Sequence, residues 1–370
     1  MLERAFARWH DSENATLILL ALFVVAWTAF HTIVFAPIGL HSDMTEVFSW
    51  SRHPLAGYYK HPPLSALICT AWFAIFPAAD WAFYLLAMLT AALGLFFTDL
   101  IAKRFVADAK RPMVLLLLLM TPFYQFIGQK FNANAVLLAT WPLAVYCFLR
   151  AFESRTILWS IAAGLAVAVA MLGKYYSIYL IAGIVIGALT HPQAGRYLKS
   201  PSPWISAAVG LLAMAPHVEW LWRTGFQTFD YAYTVHGQPS VVAVLMGITG
   251  YLAGSVGYLL FPLAIYGIVV SPSRRQFLDA LWPRDGDRRM LTIMLAVFLL
   301  LPPLTAPLLR IELTSLWTMQ SWFLLPIILL AAPSAKFPRR SALRCAAGLL
   351  IFTTIAVVVA APVLAWLNFS

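Results

Sequence analysis

Apolar stretches separated by brief polar turns run along almost the whole chain. Eleven such runs stand near residues 16–35, 81–101, 113–127, 135–149, 157–172, 176–190, 204–221, 241–270, 290–309, 316–332 and 345–366. A helix needs about 20 residues to cross a bilayer, so the shorter runs must extend into their polar flanks. The pattern predicts an all-α polytopic membrane protein of about eleven transmembrane helices, organised as one domain over residues 1–370. The first run is longer than the apolar core of a signal peptide, and no small-x-small cleavage site follows it, so it is expected to remain as a spanning helix. The run at 241–270 is too long for an upright span and is expected to tilt or break. Pro302, Pro303 and Pro307 predict a break in the ninth helix, and Gly247, Gly250, Gly254 and Gly257 form a stripe expected to pack closely on a neighbour.

One polar gap is long. Residues 37–80 are too few for a soluble domain but enough for two short surface helices. Residues 43–52 can form the first, with Ser42 as its cap and Asp43 and Glu46, spaced i,i+3, on one face. Leu64 to Phe76 is apolar but too short to span, so it is expected to lie along the interface or re-enter, its start set by Pro62-Pro63.

Composition agrees with the pattern: 62% of residues are hydrophobic, 11% are charged and the mean hydropathy is +0.80, against roughly 25% charged in soluble domains. The net charge of +10 reads as a topology signal, and no nucleic-acid partner is expected. With the N-terminus inside, nineteen of the 25 lysines and arginines fall on cytoplasmic segments, which places the C-terminus outside. The chain stops just past its last helix, so no soluble C-terminal domain is expected. Six bases remain on the outer side: Arg52, Lys60, Lys130, Lys174, Arg223 and Arg310. Orientation rules leave them unexplained, and their shared surface suggests an anionic ligand.

Chemistry concentrates on the same side. Asp43 is either a helix-end charge or a carboxylate base at the hydrophobic boundary. Lys60 suits a phosphate, and Lys174, in a very short turn, either snorkels or does the same. His217 and Glu219 lie near the outer end of the seventh helix, where ionisable groups usually face a cavity. The segment from Arg223 to His236, read as a loop, carries Tyr231 and other aromatics that can stack on a sugar or join the interfacial belt. His41, His53 and His61 crowd the same loop and either hold a divalent metal or serve surface and packing roles; they match no standard ligand spacing, which favours the latter, and no cofactor is expected. Cys69, Cys147 and Cys345 are isolated in apolar runs and read as core residues.

The early Asp43, the sequence Tyr58-Tyr59-Lys60-His61-Pro62-Pro63-Leu64 and the helix after it resemble the GT-C superfamily of polyprenyl-phosphate-sugar glycosyltransferases. The protein mannosyltransferase-like and lipid A aminoarabinose transferase-like groups are the most similar. The resemblance implies an inverting transferase that takes its sugar from a polyprenyl-phosphate donor and passes it to a lipid or glycan acceptor. It implies Asp43 in catalysis and Lys60 on the donor phosphate; Glu46 is the expected second catalytic acid, and the other outer bases, Arg52, Lys130, Lys174, Arg223 and Arg310, are expected to join Lys60 on the phosphate. Tyr58, Tyr59, His61, His217, Glu219, Tyr231 and His236 are the expected substrate contacts. Related enzymes often place the second acid beside the first or just before the lysine; here Glu46 follows three residues on and Tyr59 precedes Lys60. By the same analogy the membrane is a bacterial inner membrane, with the site on its periplasmic face. A transporter or flippase of polyprenyl-linked lipids is the alternative, and it would require midplane polar groups and inverted repeats, neither of which is evident.

Overall fold

The computed structural model describes residues 13–106, 110–238, 240–333, 335 and 339–369. Arg4, Arg8, Lys336 and the Arg339 side chain, all part of the basic count, lie outside the described residues. Among those residues the chain is helical with no strand; a single isolated bridge joins Gly237 to Ile311. The protein is an all-α polytopic membrane protein.

Seven described helices are long and apolar enough to cross a membrane: Asn14–Phe35, Asp80–Phe105, Ala135–Ser154, Ser202–Arg223, Val241–Val270, Gly286–Leu309 and Arg340–Phe369. The other four apolar runs fold as shorter or interrupted helices. In chain order the elements used below are α1 (Glu13–Phe35), α2 (Ser42–Ser51), α3 (Leu64–Phe73), α4 (Asp80–Phe105), α5 (Arg111–Leu118), α6 (Ala135–Ser154), α7 (Ile157–Gly173), α8 (Ile178–Thr190), α9 (Ala194–Leu198), α10 (Ser202–Arg223) and α11 (Gln227–His236). They continue with α12 (Val241–Val270), α13 (Arg274–Leu281), α14 (Gly286–Leu309), α15 (Leu324–Leu330), α16 (Arg339–Ile355) and α17 (Ala361–Phe369). A π-helical turn at Phe123–Ile127 follows α5, directly after Pro122, which has no N–H to continue the ladder.

Lipid offers little hydrophobic drive for helix association, so close packing of small residues and polar contacts must hold the bundle. A Cβ on Gly94 of α4 would stand 2.1 Å from the Leu138 carbonyl oxygen of α6. One on Gly164 of α7 would stand 2.4 Å from the Ser206 carbonyl of α10. Ser160 and Ser202 share a 2.7 Å hydrogen bond across that second contact. Trp27, Trp141, Tyr84, Phe123 and Phe298 fill the interior, each less than 2% exposed.

Two sequence expectations are corrected here, and a third is narrowed. Of tilt or break for 241–270, the break is excluded: the helix is unbroken, with Pro262 inside it. The ninth run is also one continuous helix, α14, despite three internal prolines. Pro303 has no N–H for the Leu299 carbonyl four residues back, and the Tyr251 hydroxyl of α12 donates to that carbonyl at 3.1 Å instead. The glycine stripe is only half a contact face: Gly247 and Gly254 meet residues 312–315, while Gly250 and Gly257 face open space.

The polar turnarounds fall into two sets that bond among themselves. Asp99 and Arg111 form a buried bidentate pair at 2.9 and 2.5 Å, which Thr16 joins through a 3.2 Å bond to Asp99. Arg155 reaches Gln193, His191 pairs with Asp287, and Arg104 pairs with Glu153. The other set, between α1 and α4, α7 and α8, and at the ends of α10 and α14, builds the cavity described next.

Candidate active site

Helix α2 starts at Ser42, one residue before the predicted start, and its cap is His41 rather than Ser42. The His41 Nδ1 accepts the Asp43 backbone N–H at 3.2 Å, which leaves the Ser42 side chain without that role. The expected i,i+3 face forms: Asp43 and Glu46 both line a cavity of about 650 Å³. Thr70 of α3 donates to the Ser51 carbonyl at 2.9 Å, and Thr228 of α11 donates to the Tyr58 carbonyl at 3.0 Å, so the whole loop is fixed against the bundle.

The two acids have different surroundings. Glu46 has both oxygens engaged: the Tyr59 hydroxyl donates at 3.0 Å and the Lys60 ammonium at 2.8 Å. Asp43 accepts from Asn132 Nδ2 at 2.9 Å through one oxygen, while its other oxygen lies 3.9 Å from Lys60, beyond hydrogen-bond reach. Asp43 is therefore the carboxylate with a lone pair to offer, and Glu46 holds Lys60 and Tyr59 in place.

The cations also divide. Burial works against the Lys60 charge, but the hydrogen bond and charge of Glu46, with Tyr231 and Asp43, outweigh it and hold the ammonium above its ordinary range. Lys174 lies across the cavity, 2.6 Å from Asn134 Oδ1 and 4.6 Å over the Trp317 ring. Burial brings it down to about 7, against the pull of Asp43. His61 is pushed down to about 3 by burial and by the nearby Lys174, Lys60 and His236, and His236 is lowered chiefly by burial. Both imidazoles are neutral near pH 7, so they serve as hydrogen-bonding groups rather than as phosphate-binding cations.

Of the expected residues, the cavity gathers Asp43, Glu46, Lys60, His61, Lys174, Tyr231 and His236. Tyr59 stands at its edge, bonded to Glu46 and packed edge-on to Tyr231. His217 acts from behind: its Nδ1 donates to the Ala56 carbonyl at 2.6 Å, so its Nε2 must accept, and the Tyr175 hydroxyl fills that place at 2.7 Å.

The others are corrected. Tyr58 is a loop residue, 6% exposed, stacked on Trp50 and donating to the Trp50 carbonyl. Arg52 caps the exposed end of α2 and Arg310 ends α14 in left-handed backbone; neither they nor Lys130 line the cavity. Arg223 and Glu219 form an exposed i,i+4 pair at 2.5 Å on the outer side of α10. The segment before His236 is helix α11 rather than a loop, which presents Thr228, Tyr231 and Val235 to the cavity on one face.

Asn132, Asn134, Tyr175 and Trp317 line the cavity without having been expected there. Asn132 and Asn134 precede the apolar run of α6, a helix-start signal that points to capping rather than to a site. Trp317 carried no signal, because a tryptophan near a helix end reads as interfacial belt. Among the described residues no three metal-ligating side chains cluster. Because Glu219 lies off the cavity in an exposed pair, Glu219→Gln is expected to change turnover and stability little, by under about 1 kcal/mol; a loss of activity beyond about threefold in steady-state assays would return it to the site.

A family model described as dolichyl-phosphate-mannose-protein mannosyltransferase matches residues 60–220. The lipopolysaccharide core galacturonosyltransferase RgtB of Rhizobium johnstonii is 25% identical over 166 residues, covering 42% of this chain and 33% of that protein. The fold is similar to ArnT from Cupriavidus metallidurans, solved bound to undecaprenyl phosphate: the TM-score is 0.63 at 15% identity over 93% of this chain and 64% of that one. The apo form of the same protein gives 0.59 at 17% identity. The chain thus spans about a third of the curated relative and under two thirds of the solved one. The resemblance to GT-C glycosyltransferases is borne out by these matches.

Proposed function

We propose that this chain is an inverting glycosyltransferase that moves a sugar from a polyprenyl-phosphate donor to an acceptor hydroxyl. The observation that carries the reading is the pairing, in one cavity, of an incompletely engaged carboxylate with two lysines and an apolar mouth. Ile178, Phe229, Val235 and Leu309 line the cavity yet are each about half exposed, so the cavity opens onto an apolar surface. A polyprenyl chain can lie there while its phosphate reaches Lys60 and Lys174.

In the reaction, the acceptor oxygen attacks the anomeric carbon from the face opposite the phosphate, and its proton passes to Asp43. The new carbon–oxygen bond forms as the anomeric carbon–phosphate oxygen bond breaks, and the polyprenyl phosphate leaves with the electron pair. Lys60 and Lys174 meet the charge that grows on that phosphate. The positive-inside count supports an N-inside, C-outside topology with the site on the outer side; the resemblance to GT-C transferases supports a bacterial inner membrane and a lipid or glycan as acceptor. The galacturonosyltransferase relative and the resemblance to aminoarabinose transferases suggest a uronic acid or aminoarabinose as the first sugars to try. Purified protein in detergent, given a polyprenyl-phosphate sugar and a lipopolysaccharide or lipid acceptor, should yield an acceptor heavier by one sugar. A transporter or flippase would show transport only across a sealed membrane and no such product.

Lys174 makes donor binding depend on pH. In the empty cavity its ammonium loses its proton near pH 7; beside a phosphate it holds the proton to higher pH, so binding takes up a proton. Affinity is full below about pH 7 and falls as pH rises above it, approaching tenfold per unit. Titration with a phosphodiester donor analogue, whose own charge is constant here, should show this slope in the wild type. Lys174→Arg, charged throughout, should flatten it; an equal slope in both would assign the dependence to another group.

A further inference from the structure

Asn132 lies in the bend before α6. Its Oδ1 accepts the backbone N–H of Asn134 at 2.8 Å and that of Ala135 at 3.0 Å, two of the donors a helix start leaves unpaired. Since both partners are backbone donors, the orientation of the amide is fixed, oxygen toward α6 and nitrogen away. That nitrogen donates to Asp43 Oδ2 at 2.9 Å. The next neighbours of the carboxylate, Lys60 and the His41 Nδ1, stand at 3.9 Å.

Building on the transferase reading above, we propose that Asn132 is a positioning residue that aims the Asp43 base. By occupying Oδ2 from a rigid helix start, it leaves Oδ1 turned to the acceptor hydroxyl. A neutral donor suits this task, because a cation at the same distance would make the carboxylate a poorer proton acceptor. The charged and titratable groups around Asp43 are Glu46 on its own helix, His41 at the start of that helix, Lys60 and His61 in the next turn, Lys174 before α8 and His236 on α11. Asn132 is the group at hydrogen-bond distance, and its amide does not titrate.

The test uses N132D, because aspartate caps a helix as well as asparagine does. The variant keeps both backbone bonds of the α6 start but loses the donor and sets a second carboxylate against Asp43. Turnover at pH 7 should fall at least about tenfold, and the acid limb of the pH–rate profile should move up by about one unit or more, with the protein still folded, its thermal midpoint lowered only by the repulsion that moves the limb. N132S, which retains an accepting oxygen without a new charge, should lower kcat about tenfold with KM little changed and move the limb up by less than N132D does. Wild-type kcat and pH profile in N132D would reduce Asn132 to a helix cap and overturn the proposal; if N132D does not fold, N132S decides in the same way. If Asp43→Asn itself retains turnover, the transferase mechanism fails instead, so the two failures can be told apart.

Discussion

Asp43→Asn should lower turnover by about 10²–10⁴-fold, the range a positioned general base contributes, while the protein folds and binds donor nearly as before. The substitution keeps the shape of the side chain and an oxygen for the 2.9 Å bond from Asn132, so the loss would report proton acceptance rather than collapse of the loop. Single-turnover transfer, donor binding and thermal melting on the same preparation separate these possibilities. Turnover within about threefold of wild type would remove Asp43 from the chemistry. Glu46 is a poor substitute, since Tyr59 and Lys60 already engage its two oxygens.

The second large effect is structural and lies away from the cavity. Asp99 and Arg111 are 3% and 5% exposed at the side chain and meet through two hydrogen bonds. Arg111→Met would leave a buried carboxylate without its countercharge, which typically costs about 3–5 kcal/mol. The expected result is a large fall in thermal midpoint or yield, with transfer per folded molecule unchanged. A double variant, Asp99→Leu with Arg111→Met, should recover most of the lost stability, because paired apolar replacement of a buried ion pair is often neutral. If the double variant is as unstable as the single one, packing around Arg111 rather than the uncompensated charge sets the cost.

Much of the architecture was legible in the chain. Length and polarity of the apolar runs pointed to spanning helices, since a bilayer tolerates few alternatives. The gap between residues 37 and 80 announced α2 and α3, and the spacing of Asp43 and Glu46 placed both on one face because helical period alone decides that. Where the reading failed, a contact distant in sequence intervened. Three prolines predicted a break in α14, yet Tyr251 supplies a donor from another helix. Four glycines predicted a packed stripe, yet two of them face open space.

The site divides along the same line. Sequence by itself determined that acids and unexplained bases share one set of turnarounds, because composition and orientation rules act on each segment separately. It could not choose among the six bases, since whether a side chain at a helix end enters a cavity depends on the rotation of that helix against its neighbours. The tertiary structure chose Lys60 and Lys174, sent Arg223 to an exposed pair with Glu219, and brought Asn132 across 89 residues to Asp43. Those assignments rest on distances of a few ångströms between segments far apart in the chain, which only packing sets.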